Sequence, residues 1–542
     1  MTNPIRCALA VLLMSAWGLG CHDDTPNGPD AGTPDAGAEW DGTYVPLDEQ
    51  GDNIDTGPFA SCPVLTADDA GTPIACGSRE AFDLSACNRS TLSQLSPDGV
   101  YGVRQRASGT SFFGFGYSGI KVSTNGGPES VNSYPLIQKQ VDAQNFYVAG
   151  KRTLNDGGTT LYAFAGCEAQ SPQHLTGCYQ TCTNGGARRS SGSFDGTRLQ
   201  RLSEPESSGI GLVSESAVAL GLPVDVYVTK NHAYVVSLSL SPSPRVGGLT
   251  VFDVSDQAHP VLRKVVTLAG DTYWNSVWAK DNALYIGSGN HGVIVYDISN
   301  PEDPQFVRSV PGDTFDVHTL YVDGNRLYAQ AAGANQELIF DVSNPLNPVL
   351  LTRYTVPADT NGLGYPHDAF AYQNRLYINQ MGQGYYVLDV TDGANPKPLG
   401  AYTYDADIYN PTHANQVGTF AGRTIAFEGG EEVNAHLRVL DVTDPAHIVK
   451  IGEYKMRPQT SIHNMILKDK RLYVAWYAEG LRVLDVSNPT QPKELAYFNT
   501  YRDVDLSRSG ALFVGAIGIR VPGDGYVYLV DITRGLLIFR EP

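Results

Sequence analysis

The sequence predicts an all-β protein: a seven-bladed β-propeller preceded by a small disulfide-containing β-sandwich or barrel. Three observations carry that expectation. One phrase recurs from about Pro223 to the end, as in Val-Tyr-Asp297-Ile-Ser-Asn-Pro301 and Val-Leu-Asp485-Val-Ser-Asn-Pro489. Its aspartates, Asp253, Asp297, Asp341, Asp389, Asp441 and Asp485, are 44, 44, 48, 52 and 44 residues apart by subtraction of neighbouring positions. A period of about 40–50 residues is that of propeller blades. Cysteines cluster ahead of the repeats and are missing from them. Finally, 57 glycines, 33 prolines and 30 tyrosines in 542 residues, without a long helical period, describe a chain rich in strands and turns.

Residues 1–21 read as an export signal: Arg6, an apolar run from Ala8 to Trp17, and Gly18-Leu-Gly-Cys21. Small residues before a cysteine match a lipoprotein signal in which Cys21 carries the lipid. Gly18, standing where a leucine is usual, departs from that pattern, and plain secretion is the alternative. Residues 22–59, built of Asp, Pro, Gly, Thr and Ala, lack the apolar surface to offset chain entropy and read as a solvated tether.

Residues 60–204 form the cysteine-rich β domain. Val100-Tyr-Gly-Val, Asn145-Phe-Tyr-Val and Thr160-Leu-Tyr-Ala alternate as strands. The aromatic strand from Phe112 to Tyr117 reads first as core. Cys62, Cys76, Cys87, Cys167, Cys178 and Cys182 are even in number in an exported segment and so read as disulfides, with 15 pairings open. A zinc site at Cys178 and Cys182 is the minor alternative.

Residues 205–542 are the propeller. Its third repeat shows the blade: His318-Thr-Leu-Tyr-Val, the turn at Asp323-Gly-Asn, Leu327-Tyr-Ala-Gln, Glu337-Leu-Ile-Phe-Asp, the Ser343-Asn-Pro turn and Val349-Leu-Leu-Thr. Within the phrase, Asp, Ser and Asn bond nearby amides and proline opens an edge strand, so the repeated aspartate reads as a turn organiser. Ile210-Gly-Leu-Val-Ser-Glu-Ser has the pattern of a fourth strand and precedes the first complete blade, so it closes the ring onto the last one. In that last blade Tyr526–Ile532 is either the second strand or the third. The Gly-x-x-Val-x-Asp strand, the Ser/Thr-Asn/Asp-Pro turn and Leu472-Tyr-Val-Ala together resemble the LVIVD-repeat proteins of bacterial and archaeal exported surfaces. That resemblance covers about residues 210–542 and implies a propeller on an exported protein. It supplies no catalytic motif.

One feature exceeds scaffold. Nine places before Leu284-Tyr, Leu327-Tyr, Leu376-Tyr and Leu472-Tyr stand Asn275, His318, His367 and His463. His413 takes the matching place in the fifth blade once one inserted residue is allowed. Inner strands surround the axis, so these positions share one height around the channel. Asp225 or Val224 is expected to complete the ring from the first blade and Asp503 from the seventh. The ordinary role for such histidines is bonding to the next blade's backbone. A pH-sensitive or ligand-binding rim, or a transition-metal site for Zn or Fe on His318, His367, His413 and His463, are the functional alternatives.

Fifty-seven acidic against 38 basic residues, a net charge of −19, exclude nucleic acid as a partner, and outside the signal no run is long enough to span a bilayer. Zinc-protease, nucleophile-elbow, phosphate-loop and EF-hand motifs are missing. The expectation is a cell-envelope lipoprotein that touches membrane only through its anchor. Its propeller binds a protein or glycan partner, needs no cofactor and performs no chemistry. The alternative is an exported metal-dependent enzyme using the histidine ring.

Overall fold

The computed structural model describes residues 40–109, 114–184, 186–218, 220–239, 247–312, 315–357, 364–404, 411–505 and 510–542. The export signal with Cys21, the tether up to residue 39, and Phe112 and Phe113 of the aromatic strand lie outside the described residues.

Eight antiparallel strands close into a barrel, the first (Gly99–Ala107) pairing with both the second (Gly116–Val122) and the last (Ala187–Arg198). Inward-facing Val103, Ile120, Phe146, Val148, Phe164 and Phe194 fill it, and Leu92 from the preceding 3-10 turn (Arg89–Gln94) and Leu95, which caps that turn, join that core. Closure removes the free sheet edges that a sandwich would leave. Bridges Cys62–Cys178, Cys76–Cys182 and Cys87–Cys167 fasten the irregular approach segment to the barrel wall. They also account for both candidate zinc thiols. Their sequence separations of 116, 106 and 80 residues are long, so each bridge strongly restricts the unfolded chain.

Seven sheets follow, each with four consecutive antiparallel strands except where the ring closes. The first strands touch their neighbours in order, and that of blade seven (Ala516–Arg520) touches that of blade one (Leu222–Thr229), so the ring is complete. Closure uses the early strand: Leu212–Ser216 pairs with Gly535–Arg540, which makes Tyr526–Asp531 the second strand of blade seven. A further short strand, Ser207–Ser208, edges blade six.

The repeated phrase performs the turn role read from it. Asp253 and Asp297 each accept from the backbone N–H and hydroxyl of the serine two residues on, and Asp441 does the same with Thr443. The two repeated motifs also meet between blades. Tyr234 and Tyr285, from the Ala/Leu-Tyr strands of blades one and two, donate to the carbonyls of Pro301 and Pro345 in the next blade's turn, at 2.9 and 2.8 Å. Each such bond is worth about 1 kcal/mol net, and burial of the tyrosine ring adds more.

Not every buried group is satisfied. Inside blade three Gln330 donates to one oxygen of Glu337 at 2.8 Å, while the other oxygen has no hydrogen-bond partner among the described residues. Burial pushes the Glu337 carboxyl up to about 8. Between its unfolded value of 4.5 and that point the unfolded chain has lost a proton the native state retains. Stability therefore falls as pH rises through this window, at up to about 1.4 kcal/mol per pH unit. Glu337→Gln keeps the shape without the proton, so its gain over the wild type is expected to be larger at pH 8 than at pH 5, read from urea midpoints.

The solvated tether expected over residues 22–59 is corrected from Trp40 onward, where the chain is a strap bound to the propeller. Trp40 and Tyr44 pack on the core shared by blades five and six, and Leu47 N–H donates to Lys450 O at 2.9 Å. Fully buried Arg438 then pairs with Asp52 and Glu49 at 3.0 Å each, and His436 closes on Asp52 from the other side. Composition suggested a tether because the strap's few apolar and charged groups are used singly, each in a prepared socket.

Barrel and propeller share an interface beside the channel mouth. Arg457 donates to the carbonyls of Arg198 and Leu199 at 2.5 and 2.8 Å, and Gln459 to Asp195 at 2.8 Å. The backbones come so close at Gly119 that a Cβ there would sit 2.2 Å from Gly510 O.

Candidate functional site

In a regular strand only alternate side chains face the channel. The first strands break that rule at one repeated place. Pairing with the second strand slips between Pro223 and Asp225, Trp274 and Ser276, Pro366 and Ala369, Thr412 and Ala414, and Ala516 and Gly518. The residues passed over are Val224, Asn275, His413 and Ile517, and in blade four His367 and Asp368 together stand opposite the single residue Asn379. Bulges re-aim side chains, and this set turns the ring position inward. In blades three and six, His318 and His463 occupy it just ahead of the strand, their N–H groups donating to Gln330 O and Ala475 O.

Four imidazoles therefore stand side by side. Ring centres are 4.3 Å apart from His318 to His367, 4.0 Å from His367 to His413 and 4.3 Å from His413 to His463. His318 Nε2 lies 2.8 Å from His367 Nε2, and Tyr273 Oη is 3.1 Å from His318 Nδ1. His463 Nδ1 bonds the Ile517 carbonyl at 3.0 Å, which leaves Nε2 as the lone-pair end, 3.5 Å from Glu431. His413 Nε2 is 3.4 Å from the other Glu431 oxygen. Tyr477 donates its hydroxyl to Glu431.

His413 is 1% exposed, and neither ring nitrogen has a hydrogen-bond partner among the described residues. An unsatisfied buried polar group costs about 1–3 kcal/mol. Burial pushes His318, His367 and His463 down to about 3 and His413 well below its usual value, so all four are neutral, the form that binds metal. Burial likewise raises Glu431 to about 8 and raises Asp368 and Asp225. These carboxyls meet no nearby cation strong enough to offset the dry surroundings.

A cavity of about 740 Å³ runs through the channel beside them. Tyr273, Tyr365 and Tyr477 wall the histidine end. Three residues beyond the ring position in the first strands, Tyr227, Trp278, Tyr321 and Phe370 form a contiguous aromatic tier with centres 4.9–5.1 Å apart, and Arg520 lies 4.4 Å over Trp278. That volume suits a small organic molecule.

Of the residues expected at the ring, Asn275 is there, donating to His318 O at 3.1 Å. Blade one contributes Val224 at the ring height. Asp225 is one residue further on, accepting from Val277 N–H at 3.0 Å and 3.7 Å from Arg520. Asp503 is corrected: it pairs with Arg198 of the barrel at 2.5 Å, and Ile517 holds the seventh position. The connection before blade seven runs from residue 499 to 515, longer than in the other blades, and a count from the repeats cannot allow for it. Glu431, Tyr273, Tyr365 and Tyr477 were not identified as site residues, because they sit in loops that the repeat does not index.

The LVIVD repeat family matches residues 221–267, 270–312, 311–356 and 463–500, which are blades one, two, three and six. The chain carries LVIVD repeats. Of the four imidazoles in this LVIVD-repeat propeller, His318 and His463 fall inside the matched spans, whereas His367 and His413 fall outside them. No curated protein matches the chain. Among solved structures it is similar to the computationally designed Ika8 protein, at 12% identity over 60% of this chain and 100% of that one with a TM-score of 0.42. It is also similar to the WD40 β-propeller domain of Doa1, at 12% identity over 62% and 98% with a TM-score of 0.45.

Proposed function

We propose that this is an exported metalloprotein whose propeller channel holds a divalent transition-metal ion on His413, His463 and Glu431 and receives a small ligand in the cavity beside it. What carries the reading is His413, a buried imidazole with both nitrogens unsatisfied, in a group whose ligand atoms all lie within 4.8 Å of one another. Two imidazoles and one carboxylate suit Zn²⁺ or Fe²⁺, and a three-ligand set leaves a coordination position for water or substrate, the pattern of catalytic rather than structural sites. Elemental analysis of protein purified without chelator tests it: stoichiometric metal is expected, and metal-free protein that refuses Zn²⁺ and Fe²⁺ would end the reading.

The second reading, a propeller that presents its loops to a protein or glycan partner without chemistry, draws support from the rigid ring itself. Export is supported by the three disulfides, bonds that persist in oxidising compartments. Among the described residues no helix is long and apolar enough to cross a membrane. Attachment is assigned to a lipid on Cys21, with the protein in the cell envelope. Cys21→Ser is expected to move the protein from the membrane fraction to the soluble one, and an unchanged distribution would remove the anchor from the account.

A further inference from the structure

Resting on the metal reading above, we propose that the channel holds two divalent ions side by side, with the His413 ring shared between them.

The second ion's group is His367, Asp368 and His413, whose ligand atoms also lie within 4.8 Å of one another. Consecutive residues of a strand ordinarily face opposite ways. In blade four the pairing slip spans both His367 and Asp368, and both line the cavity. The register shifts by one residue there, as in the other slipped first strands, and neighbouring pairs such as Val224 and Asp225 or Asn275 and Ser276 also line the cavity; blade four is the one whose pair is an imidazole and a carboxyl. His318 Nε2, 2.8 Å from His367 Nε2, stands beside this group as a further donor, its other nitrogen held by the Tyr273 hydroxyl. The second set is thus built like the first: imidazoles, one carboxylate, and a tyrosine behind them.

His413 lies between the two sets. Its ring centre is 4.0 Å from that of His367 and 4.3 Å from that of His463. An imidazole has a donor atom at each end. Nε2 looks toward Glu431 at 3.4 Å, while Nδ1 is buried and has no hydrogen-bond partner among the described residues. A single ion on the Glu431 side would satisfy one nitrogen and leave the other orphaned. Two ions satisfy both. When the second ion binds, the neutral ring releases its one N–H proton to water and becomes an imidazolate bridge, with no change of oxidation state. Oxygen ligands are at hand for both ions, since Asp225, Asp368 and Glu431 line the channel together and Arg520, beside Asp225, is the Lys or Arg among the described lining residues.

Cu²⁺ is the probe, because imidazole binds it well and its unpaired electron reports a neighbour. The full chain, stripped with chelator and reloaded, is assayed for copper per chain and by electron paramagnetic resonance. Two ions per chain are expected, with a signal integrating to well under two independent spins, because an imidazolate bridge couples them. Asp368→Asn and Glu431→Gln, near-isosteric changes, are each expected to retain one ion with a full isolated-spin signal. One ion in the wild type, unchanged in Asp368→Asn, overturns the pair and leaves the single-metal reading standing. No bound ion overturns both. Two ions with two full independent spins overturn the sharing of His413. The wild-type count and spin integral decide the matter even if a variant fails to fold.

Discussion

Replacing His413 and His463 together by alanine is expected to abolish stoichiometric metal retention, lowering Zn²⁺ affinity by well over about 100-fold. Loss of mere supporting residues around a metal already costs about 10–100-fold. The two rings supply the nitrogens that face Glu431 at 3.4 and 3.5 Å, so their removal leaves a lone carboxyl that burial favours in the neutral form. The readout need not be activity. Metal that binds only the folded state stabilises it by about 2.7 kcal/mol at one hundred times its dissociation constant. Wild-type protein should therefore melt higher with Zn²⁺ present, and the double variant should not respond. An equal zinc response in both proteins would place the ion elsewhere.

Arg438→Ala is expected to be the most destabilising single substitution in the propeller, by about 3–5 kcal/mol. The guanidinium is fully buried against Glu49, Asp52 and Glu428, and Asp52 and Glu428 are themselves fully buried. Against the cost of burial, Arg438 and His436 hold the Asp52 carboxyl below its usual range. Without the cation this carboxylate must be protonated or expelled, and expulsion takes the strap off blade five. Urea unfolding would give the loss, and limited proteolysis would show new cleavage near residues 40–57. Arg438→Ala combined with Asp52→Asn should cost less than the sum of the single changes, because the pair is coupled. Additive costs would mean that Arg438 is supported by other partners.

Much of this architecture was legible because the repeats carry local chemistry. Asp297 and Ser299 make their turn whatever surrounds them, and Tyr285 needs only the next blade's proline carbonyl, so period and strand order could be read directly. The histidine ring was legible for the same reason: position nine before Leu-Tyr is a fixed place in the blade, and the slips in pairing at Asn275, His367 and His413 turn that place into the channel. What a repeat does not index was not legible. Glu431 follows the strand Arg423–Gly430 in a connecting loop, and only the closed ring brings it between His413 and His463. Asp503 was misplaced because a long connection shifts the last inner strand to Ala516–Arg520. The strap looked disordered because its binding energy lies in its partners, Arg438 and the core of blades five and six.

The channel joins these parts: five of the seven inner strands bulge at one height, imidazoles and a carboxyl gather there, and the proposal is that a metal ion completes them. X-ray absorption at the zinc edge of the reloaded protein tests that claim most directly. The account predicts nitrogen and oxygen neighbours at about 2.0–2.1 Å, with the outer-shell scattering of imidazole rings that disappears in the His413→Ala, His463→Ala protein. A spectrum of water oxygens alone, or one showing sulfur neighbours, would contradict it.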